Sequence, residues 1–347
     1  MITILSTLSG KYFSCTIPDV VFSITGYRAA VNIKVDGTLI FSENLYPLSG
    51  KIMIRDLANL ITPYAKQSLA VSMDMDIVEE FESDSTTNTS SVSADIIYCE
   101  ADFGTNAPDF IANHYLSILL GTKITALGRL EYLHYIGTDP ATVIATYGDG
   151  STDTFKPVPT GGNDKYTTID VSPAQFAVDH KLLVSYSVSA GSRSQEYELD
   201  LNAPDCAPVL IFDNSFGVEE LLYCTGVSTL SPTYTRSSAY VNGLNKNYDI
   251  EEKKSIKADT GVLNFAMANW AQELFRSKYI RIVNFYAGKP VIGKEIIITD
   301  SKDEYSNGDD TLPRFTFSYQ YAQRNHNVVD LKRSGRIFDN TFDNTFE

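Results

Sequence analysis

The sequence is poor in the residues that catalysis and metal binding draw on. Four histidines occur in 347 residues, His114, His134, His180 and His326, and their wide spacing offers no shared metal site; each is expected to be solvent-facing or satisfied by neighbours. The chain holds no GxSxG elbow, GxxxxGKS or GxxxxGKT phosphate loop, HExxH zinc helix or GxGxxG dinucleotide turn, which removes the common recognisable enzymes. Paired carboxylates for glycoside hydrolysis are not legible here, because their separation belongs to the fold. No catalytic residue, cofactor or metal ligand is therefore assigned. Cysteine is also scarce. Cys15, Cys99, Cys206 and Cys224 lie too far apart for a zinc knuckle or a CxxC motif and are too few for a disulfide scaffold, so buried free thiols in a reducing cytoplasm are expected.

Basic residues fall short of acidic ones, 28 against 43, for a net charge of -15. Such a chain repels nucleic acid and anionic membranes at long range, which excludes DNA or RNA as its main partner. No run of 18 apolar residues is present, so no membrane-spanning segment is expected. Residues 1–10 lack a basic region and a long apolar run, which argues against a signal peptide.

Aromatic residues are plentiful: 21 tyrosines and 18 phenylalanines beside one tryptophan, a bias that suits strands and contact surfaces. The length predicts two to three units, each with its own core. The pattern is mainly β, as β-sandwich domains whose terminal members carry a helix packed on the sheet. Residues 1–120 read as an N-terminal β domain with one short helix at about 55–62, ended by Pro63. There Val31, Ile33 and Val35 alternate up to Asp36-Gly37, a two-residue hairpin signal. The acidic and then Ser/Thr/Asn-rich stretch 74–93 predicts an exposed loop or long hairpin tip. Residues 121–204 carry short strands at regular intervals, near 126–136, 142–147, 152–157, 166–171, 182–189 and 195–202. That spacing predicts a small sandwich of immunoglobulin or fibronectin-III type. Tyr132, Tyr135, Tyr147 and Tyr186 are its candidates for stacking on a sugar. The two prolines in 202–208 read as a linker. Residues 205–333 form a C-terminal β domain whose helix, at about 262–276, places Leu263, Met267, Trp270 and Leu274 on one face. In 314–321, Phe315, Phe317, Tyr319 and Tyr321 alternate with polar residues, a stripe expected to face a core.

Two further segments carry candidate chemistry. The loop 300–310 gathers Asp300, Asp303, Glu304, Asp309 and Asp310 but does not match the twelve-residue calcium loop; a solvated hairpin tip is the expectation over a cation site. Residues 334–347 hold a four-residue repeat that sets Phe338, Phe342 and Phe346 on one side of a strand, and a related string, Phe212-Asp-Asn-Ser-Phe216, heads the same domain. Those phenylalanines read as an assembly tail. They pack either on their own domain or on a neighbouring subunit, with Arg333 and Arg336 as a basic collar for acidic loops of another copy.

Residues 209–347 resemble proteins encoded in structural clusters of tailed phages and prophages of gut Bacteroidetes. The strings that carry the resemblance are Phe212-Asp-Asn-Ser-Phe-Gly217, Asn247-Tyr-Asp-Ile-Glu251, Asp300-Ser-Lys302, the run from Arg314 to Asn327, and Gly335-Arg-Ile-Phe-Asp-Asn-Thr341. Residues 39–64 look like the amino-terminal part of the same kind of protein. The resemblance implies a distal-tail-like virion structural protein of the tail or baseplate, made in the bacterial host cytoplasm. Its partners would be copies of itself in a homo-oligomeric ring and other tail proteins. A different class, a carbohydrate- or receptor-binding module reading a host surface glycan through the central sandwich, is the alternative.

Overall fold

The computed structural model describes residues 1–6, 8–82, 87–102, 104–163, 166–286, 289–302 and 312–323. The protein is mainly β, and its strands gather around three principal cores.

In the first unit a five-stranded sheet runs in the order Lys11–Phe13, Thr87–Ile97, Ala70–Glu80, Arg28–Val35, Thr38–Leu45. It faces a three-stranded sheet of Thr3–Ser6, Val20–Ser23 and Lys51–Ile54 across one shared core. Val31, Ile33 and Val35 point into that core, and Asp36 and Gly37 turn the chain with φ of 46° and 79°, as a two-residue hairpin requires. Of the two expectations for 74–93, an exposed loop or a long hairpin tip, the structure shows a long hairpin: Ala70–Glu80 and Thr87–Ile97 pair over their whole lengths. Asp74, Asp76, Glu80, Ser91 and Ser93 occupy the outer face, while Met73, Met75, Ile77, Val92 and Ala94, with the buried Glu79, line the other, so composition masked a period-2 pattern. Helix α1, Leu57–Ser68, also outruns expectation and passes through Pro63. The lost ladder bond is offset because Ile61 and Ala65, on either side, are buried.

The second unit is a sandwich of two sheets, Tyr132–Tyr135, Tyr166–Asp170 and Pro159–Asn163 against Thr152–Phe155, Ala141–Tyr147, Leu183–Ala190, Arg193–Leu199 and Lys123–Thr125. All pairs are antiparallel except the last, where Lys123–Thr125 joins Arg193–Leu199 in parallel. Val143, Val188, Ile169 and Phe176 lie in the core between them.

The third unit is one seven-stranded antiparallel sheet in the order Glu219–Tyr223, Val209–Asp213, Ile280–Tyr286, Lys289–Lys302, Thr316–Tyr321, Leu244–Asp259, Thr229–Val241. A short helix, α2 (Ala107–Asn113), precedes the second unit, and α3 (Phe265–Arg276) packs in the core of the third. Asn264 caps α3, its side chain accepting from the Met267 N–H at 2.8 Å. The helix therefore begins later than expected, leaving Leu263 buried just ahead of it. Met267, Trp270 and Leu274 meet the stripe Phe315, Phe317, Tyr319 and Tyr321 in one cluster.

The string Phe212-Asp-Asn-Ser-Phe216 forms the joint between the first and third units. Phe212 enters the third core, and Phe216 crosses over to stack on Phe110 of α2 at 5.4 Å and meet Phe13 edge-on at 5.9 Å. Between them the Asn214 carbonyl oxygen accepts from the N–H groups of Phe216 and Val218, and its amide donates to the Leu116 carbonyl. Gly217, at φ +74°, lies so close to Leu69 and Tyr98 that a Cβ there would stand 2.9 and 3.0 Å from their side chains.

Candidate assembly surface

Two hairpins leave the third sheet at the same end. Thr229–Val241 and Leu244–Asp259 pair along their full length and are joined by Asn242-Gly243, with φ of 53° and 76°. Residues Ile256–Asp259 of the second strand pair with Thr316–Tyr319. Beyond Tyr321 no further described strand flanks the hairpin, and it continues as a two-stranded ribbon through residues 244–255. On the other side of Thr316–Tyr321, Ile298 pairs with the same Tyr319, and residues 289–295 run on in the ribbon's direction, paired with Ile280–Tyr286.

The register sorts the ribbon's side chains onto two faces. Leu230, opposite the buried Ile256, shares a face with Tyr234 four pairs further out, and that face also carries Pro232, Lys254, Glu252, Arg236 and Ile250. The opposite face holds Thr233 across from Lys253, Thr235 across from Glu251 and Ser237 across from Asp249. Past an irregularity at Ser237/Ser238 the tip exposes Tyr240 (77%), Tyr248 (72%) and Leu244 (62%). The neighbouring hairpin adds the exposed Phe285, Val291 and Ile292. A two-stranded ribbon without a covered face is marginal in water, and exposed aromatics beside an unpaired edge are what interfaces bury. Residues 229–257 carry five basic and three acidic side chains, a local excess of positive charge within a chain of net charge -15. Arg236 lies 5.3 Å over the Tyr234 ring, and the Glu252 carboxylate, accepting from the Tyr234 hydroxyl, pushes that phenol up.

Strands near 232–241 and 247–257 are legible in the sequence, but their exposure is not. The available signal is a ladder in which Ser, Thr, Lys and Glu outnumber the few aliphatic residues. The tail residues Phe338, Phe342 and Phe346, with Arg333 and Arg336, lie outside the described residues, as do His326 and most of the 300–310 loop.

The sugar-stacking expectation is corrected for three of its four tyrosines. Tyr135, Tyr147 and Tyr186 are buried, and their hydroxyls donate to the carbonyls of Asp139, Phe176 and Val171. The expectation treats tyrosine as a surface residue; each of these instead places its ring in the core and its hydroxyl on backbone. Tyr132 is half-buried, against a separate cluster with Leu130 and Val209. All four cysteines are free thiols; Cys99 and Cys224 are buried as expected, whereas Cys206 is half-buried and Cys15 is exposed. The hydrogen bond with Cys99 holds the Cys15 thiol down at about 7.

Several displaced ionisable groups sit where units meet. Lys123 bonds the buried Glu131 at 2.6 Å and lies 4.5 Å over the Trp270 ring of α3. Burial pushes the Glu220 carboxyl up, opposed by Lys123 and by hydrogen bonds from Ser117, Trp270 and Asn214. Burial and the neighbouring Glu220 push Glu273 up to about 7. His134 bridges Thr168 and the Glu219 carbonyl, tying the second sandwich to the edge of the third sheet, and burial lowers it to about 4. Glu131, Glu220 and His134 are held by these structural partners, and Glu273 lines a cleft between the first and third units with Lys66, Tyr98 and Ser215. Among the described residues no group of three or more His, Cys, Asp or Glu is placed to hold a metal ion, and no helix is long and apolar enough to cross a membrane.

No family model matches the chain, and no curated protein matches it. Among solved structures, the I-band fragment I67–I69 from titin aligns over 93% of this chain and 89% of that chain, at 7% identity and a TM-score of 0.20. A likeness that low carries no argument about function.

Proposed function

We propose that this chain is a structural subunit of a tailed-phage virion, a distal-tail or baseplate ring or adaptor protein. It assembles with copies of itself and anchors other tail or receptor-binding proteins. The observation that carries the reading is the ribbon at residues 229–257, whose exposed aromatic and aliphatic side chains and outer edge are uncovered by the described residues. Ordering it costs conformational entropy that its own fold offsets poorly, and burial against a partner makes up the difference. The sequence resemblance supplies the virion setting, and the net charge of -15 fits a protein that does not handle nucleic acid.

The carbohydrate-binding reading loses three of its four stacking residues, since Tyr135, Tyr147 and Tyr186 are core. Virion placement is tested by gold-labelled antibody against the second sandwich, applied to intact particles released from a host that carries the gene. The expected result is label confined to the tail end of the particle. Particles that carry no label, while free protein in the same lysate does, would overturn the reading.

A further inference from the structure

The surface that receives the ribbon is also marked in the structure, on the first unit. We propose that the ribbon of one copy adds its Thr229–Val241 edge to the Thr38–Leu45 edge of the next copy, head to tail; this rests on the reading of the ribbon as an assembly element. Strand addition needs a free edge long enough to accept a ladder, and its strength comes from main-chain bonds with pockets for alternate side chains. Most other edge strands among the described residues are too short: three residues at Lys11–Phe13 and Lys123–Thr125, four at Thr3–Ser6, Lys51–Ile54 and Thr152–Phe155, five at Pro159–Asn163. Glu219–Tyr223, also five residues, is occupied by His134 on the Glu219 carbonyl and by the Tyr223 hydroxyl bond with Leu130.

Thr38–Leu45 offers eight residues, with Thr38, Leu39, Ser42, Glu43 and Asn44 exposed. Apolar side chains stand at both of its ends. Leu39 is 53% exposed at one, and at the other Tyr27 and Tyr46, 51% and 56% exposed, meet edge-on at 5.2 Å. Charge favours the same pairing. Residues 1–120 carry 14 acidic and 6 basic side chains, against the basic excess of the ribbon, so the two surfaces attract each other while two first units repel. Because donor and acceptor are different surfaces, the contact is heterologous, and repetition closes a ring or extends a filament.

Disulfide trapping in the full chain tests the pairing, with Cys15→Ser as background to remove the exposed native thiol. Ser42→Cys is mixed in turn with Ser231→Cys, Thr233→Cys, Thr235→Cys and Ser237→Cys, a panel that spans the register, and each mixture is oxidised and run without reductant. The proposal predicts a covalent dimer in at least one mixture that is absent from every variant alone. If the ribbon variants instead cross-link to themselves, the contact is ribbon to ribbon, and this inference falls while self-assembly stands. Oligomers that keep their mass by light scattering yet never cross-link place the acceptor elsewhere and overturn it too. A monomeric mass for the unmodified chain overturns the assembly reading itself.

Discussion

Replacing Glu273 with glutamine should change how the stability of this protein depends on pH. The carboxyl lies in α3 at the joint between the first and third units, where one oxygen accepts from the Ser215 N–H at 2.9 Å and the other is buried with no hydrogen-bond partner. Burial and Glu220 raise it from the ordinary 4.5 to about 7. The unfolded chain releases this proton near 4.5, and the folded one keeps it until about 7. Its stabilising share is therefore complete below 4.5 and is lost as pH rises through 7. At about 1.4 kcal/mol per pH unit that loss approaches roughly 3 kcal/mol by pH ~8. Glutamine keeps an acceptor for Ser215 and does not titrate. Glu273→Gln should thus gain on the wild type as pH rises from about 5 to about 8, up to that magnitude. His134 acts in the opposite sense, because its lowered pKa of about 4 withdraws stability as pH falls below the ordinary histidine value. The difference between variant and wild type, taken from urea midpoints at each pH, isolates Glu273. Parallel curves across that range would refute the reasoning.

Other outcomes follow from the same packing. Phe216→Ala empties the joint between Phe13 and Phe110 and should cost about 3–5 kcal/mol in chemical denaturation; a loss under about 1 kcal/mol would mean the joint is not part of the cooperative fold. Gly217→Ala forces a Cβ against Leu69 and Tyr98 at φ +74° and should lower the midpoint by at least the ~1–2 kcal/mol of a left-handed alanine. For Glu79, burial pushes the carboxyl up, but hydrogen bonds from the Met1 amino group, Asn88 and the Gly26 and Thr25 N–H groups prevail and hold it at about 2. Its stabilisation is complete above 4.5 and lost as pH falls toward 2, so the deficit of Glu79→Gln relative to wild type should shrink in that acid range. A deficit that stays constant with pH would contradict this.

Elements whose burial alternates on one face are readable from the order of residues alone. Val31, Ile33 and Val35 ahead of Asp36-Gly37 show this, as do the stripe Phe315 to Tyr321 and the Met267, Trp270, Leu274 face of α3. These carry their information within a few residues. Helix α2 does not, since its seven residues are too few to display a period, and only Asn106 ahead of Pro108 marks its start. Phe216 belongs to a string whose repetition is visible, yet its role depends on Phe13 and Phe110, residues distant in sequence. The second-unit tyrosines mislead because a ring that can stack on a sugar is also a good core residue when a backbone carbonyl takes its hydroxyl. The assembly surface is the least legible feature, because a strand pattern states which residues alternate and leaves open whether anything covers them.

The central claim is that the ribbon drives self-assembly, and the molar mass of a shortened-ribbon variant tests it most directly. Thr233 and Lys253 are directly paired, so replacing residues 234–252 with Asn-Gly rebuilds the same two-residue turn lower on the ribbon and leaves the covered base intact. Light scattering on the full chain and on this variant at equal concentration should give an oligomer for the first and a monomer for the second, with the same circular-dichroism melt for the folded body. An unchanged oligomer in the variant, with its fold preserved, would contradict the account.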